Sequence, residues 1–284
     1  MSAVLSTGGG KSSTAFVPFI HLLRGFAPIL VVWAHLAGWW FSANGDAHFP
    51  RIWTLYQAVI VGPLRLTQDG GHFGVVLFFC ISGYIMSHVA GHETRAEFVV
   101  KRVFRLMPTL IIAVAIMGIL TESGRRLGFP KMIGNDGTCL RDYLVSAFLL
   151  DYVIDMKPLS LSVTWSLGAE VIFYAIIAAV IPLLRTRPII VTWVMTALAV
   201  LFVLPWKYSA VFGYGAYFSI YLPLFIIGRA FYLDQTKQAD GRSVLSIVAV
   251  NAVLFCLLYS FRWPGKLLQS PTEPIVTYAG AVLL

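Results

Sequence analysis

The sequence predicts an all-α, polytopic transmembrane bundle of about seven full spans with an incomplete one at its C-terminal end. Three observations carry that expectation. Of 284 residues, 58% are hydrophobic and 12% charged, with a mean hydropathy of +0.79, which excludes a soluble globular domain. Apolar runs of spanning length recur along the chain, separated by turns rich in Gly, Pro and charge. Arg24 and His35 interrupt the first of these runs, where a charge at the bilayer centre costs roughly 2.5 to 3.5 kcal/mol on insertion scales. Eleven residues of α-helix turn them to within about 20° of one face and separate them by about 16 Å.

The elements follow in order. Residues 1–14, rich in Ser, Gly and Thr, read as a flexible tail, and residues 15–284 as one membrane domain. The first span runs from about Ala15 to Phe41, with Trp33, Trp39 and Trp40 as interfacial anchors. An amphipathic piece near Ile52 to Leu66 is expected on the membrane surface. The second span, Phe73 to Ala90, contains Ser82 and Gly83, small residues that admit a close neighbour. The basic segment Gly91 to Arg105 precedes a third span ending near Leu120 and carries Lys101, Arg102 and Arg105 at helical spacing. Tyr143 to Ile154 is apolar but too short to cross, and reads as re-entrant or interfacial.

The fourth span, Val163 to Leu184, holds a single acidic residue, Glu170. Ser166, Glu170, Phe173 and Tyr174 share one of its faces, while Trp165 points elsewhere. Further spans are expected at Pro188 to Leu204, Ala216 to Tyr232 and Val244 to Ser260. Ile275 to Leu284 has only the length of a beginning, so a truncation inside the last helix is expected. With the N-terminus inside, Lys and Arg outside the first helix divide equally between the two sides. The dense Arg95 to Arg105 cluster and the short Arg185/Arg187 turn favour that orientation, because the positive-inside rule acts near helix ends.

Four islands now stand in order: RGFAPILVVWAH (Arg24 to His35), GVVLFFCISGY (Gly74 to Tyr84), KRVFRLMP (Lys101 to Pro108) and WSLGAEVIFY (Trp165 to Tyr174). Together they resemble the acyltransferase-3 family of integral membrane O-acyltransferases. That family places an Arg and a His at this spacing in its first helix, then Phe-Phe-x-x-Ser-Gly, an Arg-x-x-Arg turn and Trp-Ser-Leu-x-x-Glu-x-x-Phe-Tyr. The resemblance covers roughly Phe19 to Leu184. Lys101 stands where Arg is frequent, Val76 where an acid is frequent, and members usually carry more spanning helices than this chain supplies.

The resemblance implies transfer of an acyl group, with acetyl from acetyl-CoA the expected donor, to a hydroxyl of an envelope carbohydrate or small molecule. It also implies a multi-pass protein of the bacterial inner membrane, with acyl-CoA as co-substrate and no permanently bound cofactor. Guanidinium groups match phosphate with forked donors, so Arg102 and Arg105, with Lys101 secondary, are the expected donor-binding residues. His35 is the expected general base, its unperturbed pKa being nearest neutrality, and a covalent acyl-His remains an alternative. Arg24 would stabilise the oxyanion or bind donor phosphate, and Glu170 would orient the imidazole or pair with Arg24. Trp165, Ser166, Tyr174 and Ser82 would form or support the acceptor site.

Two competing classes are open on sequence alone. A proton-coupled transporter would use Arg24, His35 and Glu170 as a relay, and a noncatalytic scaffold would leave them without a purpose. Cys80, Cys139 and Cys256 lack metal-ligand spacing, no metal site is expected, and no basic-aromatic pattern of a nucleic-acid binder is present. The excess of 21 basic over 13 acidic residues suits anionic lipid and phosphorylated ligands.

Overall fold

The computed structural model describes residues 18–38, 50–64, 66, 70–127, 139–154, 161–203 and 217–262, and among these every regular element is helical. Helix α1 (Pro18–Val32) continues into a π-helical turn, Trp33–Gly38. Helix α2 (Pro50–Tyr56) runs through a π turn, Gln57–Val61, into Gly62–Leu64, and all of it is at least half exposed or partly so. Then come α3 (Gly71–Ala90), α4 (Arg95–Arg126), α5 (Leu140–Ala147) and α6 (Asp151–Ile154). A 3-10 turn, Ser162–Thr164, leads into α7 (Trp165–Leu184), followed by α8 (Pro188–Val203), α9 (Leu222–Gln235) and α10 (Gly241–Arg262).

Helix α3 is the axis. It packs against α9, α1 and α7, and α9 packs in turn against α10 and α8. The α3–α9 crossing depends on two glycines. A methyl group on Gly83 would overlap the carbonyl of Phe225 and stand 2.7 Å from its Cα, and one on Gly228 would overlap the carbonyl of Cys80. Backbone therefore meets backbone there, the close approach that small residues permit between membrane helices. Phe225 stacks between Phe79 and Phe173, with centroids 4.7 and 4.4 Å away, and this aromatic column ties α3, α7 and α9 together.

Four described helices are long and apolar enough to cross a membrane: Gly71–Ala90, Arg95–Arg126, Trp165–Leu184 and Gly241–Ser260. The expectation of about seven spans is thus met in part. Leu22–Leu36 and Pro188–Val203 are shorter apolar helices, and Leu222–Gln235 has 14 residues, about 21 Å of rise against a hydrocarbon core of about 30 Å. The expected flexible tail and the incomplete run Ile275 to Leu284 lie outside the described residues.

The basic segment and the third span, expected as separate pieces, are one helix of 32 residues. Thr94 caps it. Glu97 N donates to Thr94 Oγ1 at 3.3 Å while Thr94 N donates to Glu97 Oε2 at 2.9 Å, a reciprocal box that satisfies two end donors. Val103, Phe104, Ile112, Ile116 and Ile119 remain exposed along α4, as suits a peripheral helix against lipid. Tyr143 to Ile154, expected as an apolar interfacial piece, is broken into two short helices around a buried polar pair. Ser146 Oγ donates to Asp151 Oδ2 at 3.0 Å.

Three turns meet at one end of the bundle: 91–94 between α3 and α4, 185–187 between α7 and α8, and 236–240 between α9 and α10. Arg185 Nη2 donates to the Glu93 carbonyl at 3.0 Å, and Arg95 Nη2 to the Ala179 carbonyl at 2.8 Å. Arg95 and Arg185 therefore stand at one end of the bundle.

Candidate active site

A buried carboxylate cluster spans α3 and α7. Glu170, 1% exposed, sits in the second turn of α7, where the helix faces α3. Ser82 Oγ donates to Glu170 Oε1 at 3.2 Å, and the Tyr174 hydroxyl, one turn on, donates to the same oxygen. The i,i+4 spacing of Glu170 and Tyr174 makes the second contact local, whereas the first fixes α3 against α7. A buried carboxylate persists only where donors or cations compensate its lost hydration, and two hydroxyls meet that need here.

The cluster continues outward to the basic motif. The Tyr174 ring stands edge-on to Phe98 at 6.0 Å, and the Arg102 guanidinium lies over the other side of Phe98, 5.2 Å from its centroid. Lys101 Nζ binds Glu93 Oε1 at 2.8 Å and Arg102 Nη2 approaches Glu93 Oε2 at 3.6 Å. Arg105 differs: its guanidinium makes no hydrogen bond or ion pair among the described residues. It lies ten residues beyond the start of α4, about 15 Å up the helix and so below the level of the surface.

The other expected residues are not joined to this cluster. Arg24 is half-buried on α1 and His35 is exposed in the π turn, and neither makes a hydrogen bond or ion pair among the described residues. Glu170 is engaged by Ser82 and Tyr174, not by His35 or Arg24, which corrects both partners expected for it. Trp165 does point away from Glu170, packing against Tyr221, Tyr217 and Phe79 at 4.9, 5.5 and 6.2 Å. Ser166 Oγ returns to the Val163 carbonyl at 3.0 Å, a helix-start bond rather than a contact with Glu170.

A model of the acyltransferase domain, Acyl_transf_3, matches residues 17–284. The chain belongs to the acyltransferase-3 family. A relative from Komagataeibacter xylinus, provisionally named the membrane-bound transacylase BcsY, is 32% identical over 145 residues, 46% of this chain. That match spans 36% of the relative's own length. No solved structure matches. The described helices of spanning length agree with a membrane protein.

Sequence reasoning missed one residue of chemical interest. Arg229, 1% exposed within α9, entered the sequence reading only as a topology charge. Its signal was present: an arginine in the middle of LPLFIIGRAFYL is as costly as Arg24 in its own helix.

Proposed function

We infer that the chain is an O-acyltransferase that moves an acyl group, acetyl from acetyl-CoA, to a hydroxyl of an envelope carbohydrate or small molecule. One observation carries the reading: Arg105, without a hydrogen bond or ion pair among the described residues, stands on the helix whose Phe98 packs against Tyr174, and the Tyr174 hydroxyl holds Glu170. A phosphorylated thioester donor needs a cation that is not already neutralised, and Arg105 is that cation, with Arg102 and Lys101 at the entrance. The acceptor hydroxyl attacks the thioester carbonyl while the imidazole of His35 takes its proton. The tetrahedral oxyanion faces Arg24, and collapse expels the CoA thiolate, which recovers the proton from the imidazolium. Glu170, through Tyr174 and Ser82, positions the wall between donor and acceptor, with Trp165 and Ser166 on the acceptor side.

In this reading the end where the turns 91–94, 185–187 and 236–240 meet is cytoplasmic, as is the N-terminus, and the membrane is a bacterial inner membrane. In the same reading the chain makes about seven crossings. The test is transfer of labelled acetyl from acetyl-CoA to envelope material in membranes bearing the wild type or His35→Ala at equal protein. A label lost by about 100-fold or more in the variant supports the base assignment. An unchanged rate refutes it. Mass spectrometry of the glycans in the same pair names the acceptor.

A further inference from the structure

The end of the bundle where the three turns meet contains a cavity of about 360 Å³, separate from Glu170. It is lined by Arg229 and Tyr232 of α9, Arg185 and Pro188 at the α7–α8 turn, and Ser87 and His92 at the end of α3. Arg229 is the unusual member. Its Nε donates to Thr192 Oγ1 at 2.9 Å and its Nη2 to the Pro188 carbonyl at 3.3 Å. Thr192 passes its own proton to the same carbonyl at 2.8 Å, so the guanidinium plane is fixed from two sides.

These partners orient Arg229 without neutralising it. No carboxylate pairs with it, and none lines the cavity among the described residues. The nearest acids are otherwise engaged, Glu93 by Lys101 and Arg102, and Asp234 by Lys237 at 3.8 Å. Its remaining nitrogen, Nη1, has no hydrogen bond among the described residues. A buried cation without a counter-charge is costly, and a protein that retains one, held rigid at the wall of a cavity, has prepared it for an anion.

The surroundings share that sign. Arg185 stands at the rim, and the first turn of α8 begins at Pro188 with its positive end toward the cavity. His92 Nδ1 donates to the His88 carbonyl at 2.9 Å, so its Nε2 can donate to a ligand only as imidazolium, which an anion would favour. Ser87 adds a hydroxyl, though at present it donates to the Gly83 carbonyl at 2.8 Å.

We propose that the Arg229 cavity is a phosphoryl-group site, with Arg229 as its buried anchor and Arg185 and His92 as its rim. A flat fork with two donors matches phosphoryl oxygens, and the polar wall suits a hydrated dianion better than an acyl chain. The phosphoryl group could come from the nucleotide end of the donor proposed above, from a lipid headgroup or from free phosphate, and the chemistry of recognition is the same.

The test is equilibrium binding of labelled inorganic pyrophosphate to the purified full chain in neutral detergent. Saturable binding is expected, weaker by about tenfold in Arg229→Gln and by a smaller factor in Thr192→Val, which removes only the orienting hydroxyl. Arg242→Gln, a charge outside the cavity, leaves it unchanged. Absence of saturable binding, or equal affinity in a folded Arg229→Gln, overturns the proposal and leaves a hydrated vestibule only. Should Arg229→Gln fail to fold, Arg185→Ala with His92→Ala decides, since both are exposed: weakened binding supports the site and unchanged binding refutes it. Displacement by CoA but not 3′-dephospho-CoA identifies the nucleotide as source, and displacement by phosphatidate but not phosphatidylcholine vesicles identifies a headgroup. Displacement by neither leaves free phosphate. No acyl transfer enters the readout, so this result stands apart from that of the His35→Ala experiment.

Discussion

Ser82 Oγ donates to Glu170 Oε1 at 3.2 Å across 88 residues of sequence, and this bond joins the Phe-Phe-x-x-Ser-Gly island to the Trp-Ser-Leu-x-x-Glu island. Two segments that the sequence offers as separate motifs are thereby one buried carboxylate site. Ser82 is thus more than a packing residue: its hydroxyl proton is directed at Glu170.

The first prediction concerns that pair of donors. Ser82→Ala and Tyr174→Phe should each destabilise the protein by about 1.5 to 3 kcal/mol, the worth of a hydrogen bond to a charged group. The double variant should lose less than the sum, because the two hydroxyls donate to one oxygen, Oε1, and act as a coupled unit. Thermal unfolding in detergent of the four proteins measures this, and strict additivity would refute it.

Donor recognition supplies the second. Arg105→Gln should raise the acyl-CoA concentration for half-maximal transfer by about tenfold or more, since the residue has no other partner among the described residues. Lys101→Gln should have a smaller effect, its ammonium being held by Glu93 at 2.8 Å. The kinetics of the two variants at one ionic strength check the order.

At the helix crossing, Gly83→Ala and Gly228→Ala should each cost about 1 to 3 kcal/mol or more, because the new methyl meets fixed backbone. Gly25→Ala should be neutral or stabilising by up to about 1 kcal/mol, as nothing lies within 4 Å of its Cβ position and alanine is the better helix former. Relative yield and melting temperature in detergent distinguish the three.

The last prediction is a pH dependence at the start of α10. Ser243 Oγ donates to Asp240 Oδ1 at 2.6 Å and Ser243 N to Oδ2 at 3.4 Å, and these bonds hold the Asp240 carboxyl below the usual carboxylate range. A group whose pKa is depressed on folding contributes stability that is fully present above its unfolded pKa, about 4, and is lost as pH falls through the folded value. The melting temperature of the wild type should therefore exceed that of Asp240→Ala at pH 7. The gap should shrink as the pH is taken below about 4.

What the sequence disclosed, it disclosed through periodicity and cost. Apolar runs marked α3, α4, α7 and α10, and the price of intramembrane charge marked Arg24, His35 and Glu170. Helical spacing placed Tyr174 one turn from Glu170 and turned Trp165 away. The link from Ser82 to Glu170 and the route from Phe98 to Tyr174 are contacts between helices, which no local pattern encodes. At α8 and α9 the described helices, 16 and 14 residues long, are shorter than the spans expected there, because hydropathy reports what a segment is made of and not where its helix stops. Arg229 was passed over because it belongs to no island, and its meaning depends on Thr192 of another helix.

The α3–α9 crossing also constrains motion. With Gly83 and Gly228 seated against facing backbone, the two helices have no slack in which side chains could change places. They must travel as one body, with the aromatic column of Phe79, Phe225 and Phe173 carried along. Any shear or hinge that admits a ligand to the interior falls on a looser seam, where the peripheral α4 meets α7. Arg105 and Tyr174 lie on opposite sides of that seam, so a displacement of α4 would change the separation between the Arg105 guanidinium and the carboxylate site.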